Sequence, residues 1–383
     1  MKIAILANDT TYTYNLRKEL IKDLALRGNE IVVVGSAVEF VDKLSELGCR
    51  VINVPTGRHS KNPIHDLRLL LRYISILRDE TPNVVLTFNI KPNVYGGIAC
   101  SHLGIRYLAN VTGLGTALEY SGFLQSITAK LYQIGVANAE TVFFQNVANQ
   151  FFFIERHMLS PTSSSVILPG SGVDLSQFQP APYPTEEDVN FLFVSRILKE
   201  KGIDLYLGAA REITQRYKNI TFHICGQCDD DRYQRVINDA SKKGYVKYHG
   251  MQKDIKPFYE TANCIIHPSY YPEGMSNVCL EAAACARPVI TTDRSGCAET
   301  VDDGKSGFII PIRDEKALVQ AIERFLALSH EEQMMMGLEG RHKVVREFDR
   351  NLVVQSYLRT IYKDEKIEPE REYAISAGEQ NGL

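Results

Sequence analysis

Residues 177–195 read QFQPAPYPTEEDVNFLFVS, and this stretch divides the chain. Pro180, Pro182 and Pro184 stand at alternate positions and are followed by Glu186, Glu187 and Asp188. Proline fixes φ and lacks the amide proton that helix interiors and central strands need, so the segment is a linker. Immediately beyond it, NFLFVS (190–195) is a short apolar run of the kind that forms a buried strand. A fresh sheet therefore starts here.

Working outward, the same alternation of short β-branched runs and amphipathic stretches fills both sides. Before the linker, strands are expected at Lys2–Ala7, Glu30–Gly35, Arg50–Val54, Asn83–Phe88, Arg106–Asn110 and Thr141–Phe144. After it come ITFHIC (220–225), VKYHG (246–250), NCIIHP (263–268) and RPVITT (287–292), separated by helical patterns such as Ile203–Tyr217. Apolar strands alternating with helices are the pattern of a parallel sheet covered on both faces. The expected architecture is α/β, with two Rossmann-like, doubly wound domains. The first spans 1–180 and the second 181–348. Residues 349–383 are read as a helix over Asn351–Tyr362, returning towards the first lobe, and a polar tail.

Length agrees with this division, since 383 residues exceed what one core holds. An apolar fraction of 44% and a charged fraction of 23% are ordinary for a soluble chain and exclude a disordered class. No run reaches the 18 or so apolar residues of a membrane span, and MKIAILANDT reads as a first strand, not an export signal. A cytoplasmic location follows, with membrane contact at most peripheral, on the inner surface. Eight scattered cysteines fit a reducing compartment. Cys225 and Cys228 form a CxxC pair without the second pair a zinc site needs. Residues 1–180 carry 16 basic against 14 acidic side chains and the remainder 27 against 32, so the first half is +2 and the second −5. This is far from the charge of a nucleic-acid binder, but a slightly basic first lobe suits an anionic acceptor or membrane surface.

Ligands of open α/β sheets bind beyond the carboxyl ends of strands, so two such sheets place the site between them. NFLFVS runs into Arg196 and then Lys201-Gly202, which open a helix. Two cations beside helix N-terminal amides make a pyrophosphate site. In YPEGMSNVCLEAA (271–283), Glu273 lies on the loop after CIIH and Glu281 inside the next helix. A helix starting near Ser276 sets Glu281 about 7 Å along its axis at 1.5 Å per residue, roughly the offset between a nucleotide ribose and the sugar it carries. Glu273 is suited to accept from sugar hydroxyls and Glu281 from ribose hydroxyls. The amides of Gly274, Met275, Ser276 and Asn277 are expected to face the diphosphate. Asp229-Asp230-Asp231 reads as a helix start and not as a metal motif, and no clustered ligand set points to a catalytic metal.

SRILKEKG (195–202), ICGQ (224–227) and PEGMSNVCLEAAACARPVITTDRSGCAETVDDGKSGFII (272–310) resemble the family 4 retaining glycosyltransferases, which have the two-lobed GT-B fold. The resemblance covers essentially the whole second lobe. It implies catalytic roles for Glu273, Arg196 and Lys201, donor binding by Gly226, Gly274, Met275, Ser276, Asn277 and Glu281, and a nucleotide-sugar donor, for which the narrower branch that the first lobe resembles makes UDP-N-acetylhexosamine the first choice. The first lobe is similar to a narrower branch in TFNIKPNVYGGIA (87–99), NVTGLGTAL (110–118), FFQN (143–146) and LPGSGVDLSQF (168–178). That branch assembles bacterial capsule, O-antigen or glycoprotein glycans on polyprenyl diphosphate. By this resemblance Lys91, Thr112, Gly113 and Asn146 line the acceptor side, and Arg17 of YNLRKEL (14–20) lies near an acceptor phosphate.

The chain also departs from the family. Asn8-Asp9-Thr10-Thr11 replaces a frequent double glycine in the first loop. Thr112 and Gly113 stand where many members have a histidine, so the resemblance assigns no catalytic side chain to this lobe. Ala286 replaces the usual helix-ending glycine, so a rearranged cap is expected there. The resemblance implies retention at the anomeric carbon, without metal or other cofactor. A nucleotide-sugar 2-epimerase or hydrolase on the same fold, and a non-catalytic glycan-binding scaffold, stay open as alternatives.

Overall fold

Two parallel sheets are visible in a computed structural model that describes residues 1–57, 62–115, 118, 122–185 and 188–363. In the first lobe the strands are β1 (Lys2–Asp9), β2 (Glu30–Ser36), β3 (Cys49–Asn53), β4 (Val84–Phe88), β5 (Tyr107–Val111), β6 (Thr141–Phe144) and β7 (Ser164–Ile167). Between them run α1 (Thr10–Leu26), α2 (Val41–Glu46), α3 (Pro63–Glu80), a π turn (Pro92–Gly96) that continues into α4 (Gly97–Leu103), α5 (Phe123–Val136) and α6 (Val147–Glu155). The second lobe has β8 (Val189–Val194), β9 (Ile220–Cys225), β10 (Lys247–Tyr248), β11 (Cys264–His267), β12 (Val289–Thr292) and β13 (Gly307–Ile310). Its helices are α7 (Ile203–Arg216), α8 (Asp231–Lys242), α9 (Lys256–Thr261), α10 (Asn277–Ala284), α11 (Glu315–Leu326) and α12 (His330–Glu347), followed by α13 (Arg350–Ile361).

Strand order is β3-β2-β1-β4-β5-β6-β7 in one sheet and β10-β9-β8-β11-β12-β13 in the other, every pairing parallel. Both orders reverse direction after the first strand of the lobe, which opens a crevice between β1 and β4 and another between β8 and β11. Two edge strands lie outside the sequence reading. β7 is four residues long and half exposed, and β13 is equally short.

Each sheet is buried on both faces. One face of the first sheet packs Leu69, Tyr73 and Leu77 of α3 with Tyr132 and Val136 of α5. Its other face takes Leu20, Ile21 and Leu24 of α1 together with Val353, Val354, Tyr357, Leu358 and Ile361 of α13. The final helix therefore crosses back from the second lobe. At about 2 kcal/mol for each fully buried large side chain, this contact holds the two ends of the chain together. Arg350, at the start of α13, donates to the carbonyls of Gly172 and Asn15 and to Glu19.

The end of α10 corrects one expectation. Ala286 keeps the left-handed backbone, φ 57°, that the usual glycine would adopt. The amide of Arg287 reaches Ala282 O at 3.0 Å and that of Ala286 reaches Ala283 O at 2.9 Å, so the Schellman pattern survives on alanine. The fully buried Arg287 guanidinium explains how. It donates to the carbonyls of Cys285 and Ala286 at the helix end, Tyr259 and Glu260 of α9, and Ala181 and Pro182 of the linker. One cation thus satisfies the orphan carbonyls of a helix terminus and fixes where the linker enters the second lobe. Asp230 caps α8 as its N-cap, accepting from the Arg232 amide at 2.7 Å.

Candidate active site

The crevice between β8 and β11 gathers the charged residues. Arg196 follows β8, Lys201 ends a 3₁₀ turn leading into α7, and Glu273 lies on the loop between β11 and α10. Lys201 Nζ bonds to Glu273 Oε1, and the Ser269 hydroxyl donates to the same oxygen at 3.2 Å. The ammonium also sits 4.9 Å from the Tyr271 ring centroid. Burial pushes the Glu273 carboxyl up, but Lys201 and His267 outweigh it and hold the group well below the usual carboxylate range. Glu273 is therefore ionised and oriented before any ligand arrives.

Arg196 is different. It is half buried and makes no ion pair or hydrogen bond with any described residue. A cation shielded from water without a partner is poised for an anion that comes from outside. Gly226 lies across the exit of β8, with φ 156°, and a Cβ there would collide with the Ser195 carbonyl. Its part in the site is to let β8 and β9 end close together.

Ser276 caps α10, its hydroxyl accepting from the Cys279 amide at 3.4 Å. The helix begins at Asn277, which places Glu281 on its second turn. Glu281 Oε2 accepts from the buried Tyr259 hydroxyl at 3.0 Å. Burial pushes the Glu281 carboxyl up to about 7, against the opposing pull of Tyr259 and Arg350. One of the four expected loop amides needs correction: that of Ser276 already donates to Gly296 O at 2.7 Å. The Met275 side chain is buried with Val173 and Phe178, so only its main chain is offered to a ligand. The amides of Gly274, Met275 and Asn277 have no partner among the described residues.

The first lobe grips this loop from the other side. Asn146 Nδ2 donates to Gly274 O at 2.5 Å and to Glu273 O at 3.3 Å, and Asn149 Nδ2 donates to Glu273 O at 3.3 Å. In a trans peptide the N–H points opposite to the preceding carbonyl. Holding the carbonyls of Glu273 and Gly274 therefore fixes the direction of the Gly274 and Met275 amides. Gly113 makes the apposition possible, since a Cβ on it would lie 3.1 Å from both Gly274 N and Pro272 O.

The residues expected to face an acceptor are largely occupied within the protein. Asn146 also caps α6 through Oδ1, at 2.8 Å from the Asn149 amide, so its side chain is spent on the helix and the opposite lobe. Lys91 Nζ bonds to Asp66 at 2.8 Å and to Gly57 O at 2.9 Å. Thr112 accepts from Asn89 Nδ2 at 3.0 Å. Arg17 is 5% exposed, 4.6 Å from the Phe88 ring centroid, with one bond to Leu16 O. Burial lowers its pKa.

Sequence reasoning missed His267, Cys297, Asn149 and Tyr259. His267 Nε2 is 3.5 Å from Glu273 Oε1, and burial pushes its pKa down so that the ring is neutral at neutral pH. His267, Glu273 and Cys297 bring ligand atoms within 4.8 Å of one another, the one such group among the described residues. The Lys201 ammonium already neutralises its carboxylate. No signal in one sequence announces these neighbours, because they reach the site from separate segments: the end of β11, the loop after β12, α6 and α9.

Comparison with known proteins bears on the fold and the family. Residues 2–146 match the family model described as glycosyl transferase 4-like, and residues 177–343 match that of the glycosyl transferases group 1. The chain is 24% identical over 377 residues to the N,N'-diacetylbacillosaminyl-diphospho-undecaprenol alpha-1,3-N-acetylgalactosaminyltransferase of Campylobacter jejuni, covering 94% of this chain and 98% of that protein. It is 26% identical over 320 residues to the capsular polysaccharide biosynthesis glycosyltransferase CapM of Staphylococcus aureus, covering 78% and 82%. Among solved structures, a glycosyltransferase of Rickettsia africae superposes with a TM-score of 0.76 at 20% identity, over 95% of this chain and 98% of that one. HepE of Anabaena with UDP and glucose gives 0.77 at 16%, over 95% and 100%. The two facing lobes are the GT-B fold, and with both halves accounted for, the chain belongs to the glycosyltransferases that these two family models describe.

Proposed function

We propose that this glycosyltransferase moves an N-acetylhexosamine from UDP to a lipid-linked glycan acceptor, with retention at the anomeric carbon and without a metal ion. The observation that carries the reading is the unpartnered, half-buried Arg196 beside the Lys201–Glu273 pair and the free amides of Gly274, Met275 and Asn277. Such a set matches a glycosyl diphosphate. Arg196, Lys201 and the amides take the negative charge that grows on the leaving diphosphate, a contribution of several kcal/mol. Glu273 accepts from hydroxyls of the sugar, and Glu281 accepts from the ribose. The acceptor oxygen attacks C1 from the face that the phosphate leaves, and its proton passes to the departing phosphate oxygen.

The unpaired charge of Arg196, with the Lys201 ammonium beside it, supplies part of the charge that a divalent ion would otherwise bring, which favours a metal-independent reaction. The acceptor follows from the Campylobacter relative, whose name specifies a diphospho-undecaprenol-linked substrate and N-acetylgalactosaminyl transfer. Arg17, Lys91, Thr112 and Gly113 form the acceptor side in this reading, with Arg17 the candidate for an acceptor phosphate, and Asn146 serves that side through its hold on the Glu273 and Gly274 carbonyls. An acceptor anchored in lipid brings the protein to the inner membrane surface from the cytoplasm, and no helix among the described residues is long and apolar enough to cross a membrane.

The test is incubation with UDP-N-acetylgalactosamine or UDP-N-acetylglucosamine and a polyprenyl-diphosphate-linked oligosaccharide, in EDTA. An α-linked product is expected. A β-linked product, dependence on added manganese, or conversion of the donor without acceptor each overturns part of the reading, the last in favour of an epimerase or hydrolase.

A further inference from the structure

The outer face of α3 has a composition that the first lobe does not use. Ile64, Leu67 and Leu71 are 61%, 56% and 57% exposed, although their helix packs Leu69, Tyr73 and Leu77 firmly into the core. At 100° per residue these three fall in an arc of about 60° on the solvent side, and Arg68 and Arg72, both exposed, occupy the adjoining arc of about 80°. The first-turn acid, Asp66, is turned inward, bonded to Lys91 at 2.8 Å and to the Tyr95 hydroxyl at 2.9 Å. Acids return only at the far end, with Asp79 and Glu80, and Glu80 is engaged by Lys2 and Arg50.

We propose that this face of α3 docks on an anionic lipid surface, with Ile64, Leu67 and Leu71 entering the headgroup layer and Arg68 and Arg72 on the lipid phosphates. An apolar ridge flanked by arginines, with its own acid neutralised from within, matches such a surface in both charge and polarity. Arginine stems lie along apolar material while their heads stay at the phosphates. A protein partner of neutral or basic surface would leave the two arginines unanswered.

The position of the helix adds a second argument. Asp66 ties the start of α3 to Lys91, just beyond the carboxyl end of β4, where the inter-lobe cleft opens. A membrane meeting α3 therefore lies next to the acceptor side. This inference rests on the lipid-linked acceptor proposed above, but its test does not require that acceptor.

The experiment is sedimentation of the full chain with vesicles of equal parts phosphatidylglycerol and phosphatidylcholine, and with phosphatidylcholine alone. Binding to the anionic vesicles is expected, and it should weaken with salt. Leu67→Ser with Leu71→Ser should abolish it, and Arg68→Ala with Arg72→Ala should reduce it by about fivefold for each arginine. All four side chains are exposed, so melting temperature and its shift with UDP should match wild type in both variants. Wild type that stays in the supernatant, or variants that sediment as wild type does, would overturn the proposal. So would a concentration-dependent dimer that the leucine variant dissolves, since a second copy would then cover the face. Failure of UDP to shift melting would instead count against the proposed donor.

Discussion

The side-chain amide of Asn146, at the start of α6 in the first lobe, donates at 2.5 Å to the main-chain carbonyl of Gly274, in the donor loop of the second. The same side chain accepts from the Asn149 amide and so caps α6. Asn146→Asp separates these duties, because aspartate caps equally well but presents an acceptor to two carbonyls. An unmade buried bond costs about 1–3 kcal/mol, so kcat/KM should fall by about tenfold to a hundredfold while circular dichroism keeps the native helix signal. Unchanged kcat/KM would mean that the loop holds its shape unaided.

Arg196 and Lys201 should separate in their effects on stability. Arg196 has no partner among the described residues, so Arg196→Ala should change unfolding free energy by no more than about 0.5 kcal/mol and weaken nucleotide diphosphate binding at least tenfold. Lys201→Ala strands the buried Glu273 carboxylate. It should lower kcat by about a hundredfold or more and cost stability as well. Urea melts beside titration calorimetry distinguish the two, and a destabilised Arg196→Ala protein with normal affinity is the contrary result.

Glu281 gives a pH dependence. Burial raises its folded pKa above its ordinary value to about 7, so the folded state resists ionisation. Stability from this group is full below its ordinary pKa near 4.5 and is lost as pH rises from there to about 7, by up to about 3 kcal/mol. Glu281→Gln should therefore raise the melting temperature at pH 8 and leave it nearly unchanged at pH 4. Nucleotide affinity in wild type should rise with pH through about 7, as the ribose acceptor ionises, and the glutamine variant should be flat. A wild-type affinity that falls with pH, or equal melting temperatures at pH 8, would remove Glu281 from this role.

Arg287 is a purely structural prediction. Its guanidinium satisfies carbonyls from α9, α10 and the linker, and replacing it with alanine leaves them buried without a donor. Stability should fall by about 3 kcal/mol or more, measured by urea unfolding. Arg287→Lys should rescue little, since an ammonium has three donors and no planar fork. Full rescue by lysine would show that charge alone mattered.

What could be read from the sequence follows from the range of the interactions. The alternation of strands and helices, the strand ends bearing Arg196 and Lys201, and the spacing of Glu273 and Glu281 on a loop and the helix after it are local in sequence, and local geometry determines them. β7 and β13, edge strands of four residues each, escaped the reading. The engagement of Asn146 and Lys91 within the protein, the Tyr259 hydroxyl on Glu281 and the neutral His267 beside Glu273 depend on contacts between distant segments. Residue types there suggested polarity, but not which group would answer it. Ala286 shows the reverse case, where a locally unfavourable residue keeps the expected backbone because Arg287 secures the helix end.

The most direct measurement is calorimetric titration of the wild-type chain and of an Arg196→Ala, Glu281→Ala double variant with UDP. Saturable binding at one site by wild type, and its loss in the double variant with the fold intact, is the predicted result. Heat of the same size from both proteins, or none from wild type with UDP, GDP or dTDP, would contradict a nucleotide site in the second lobe.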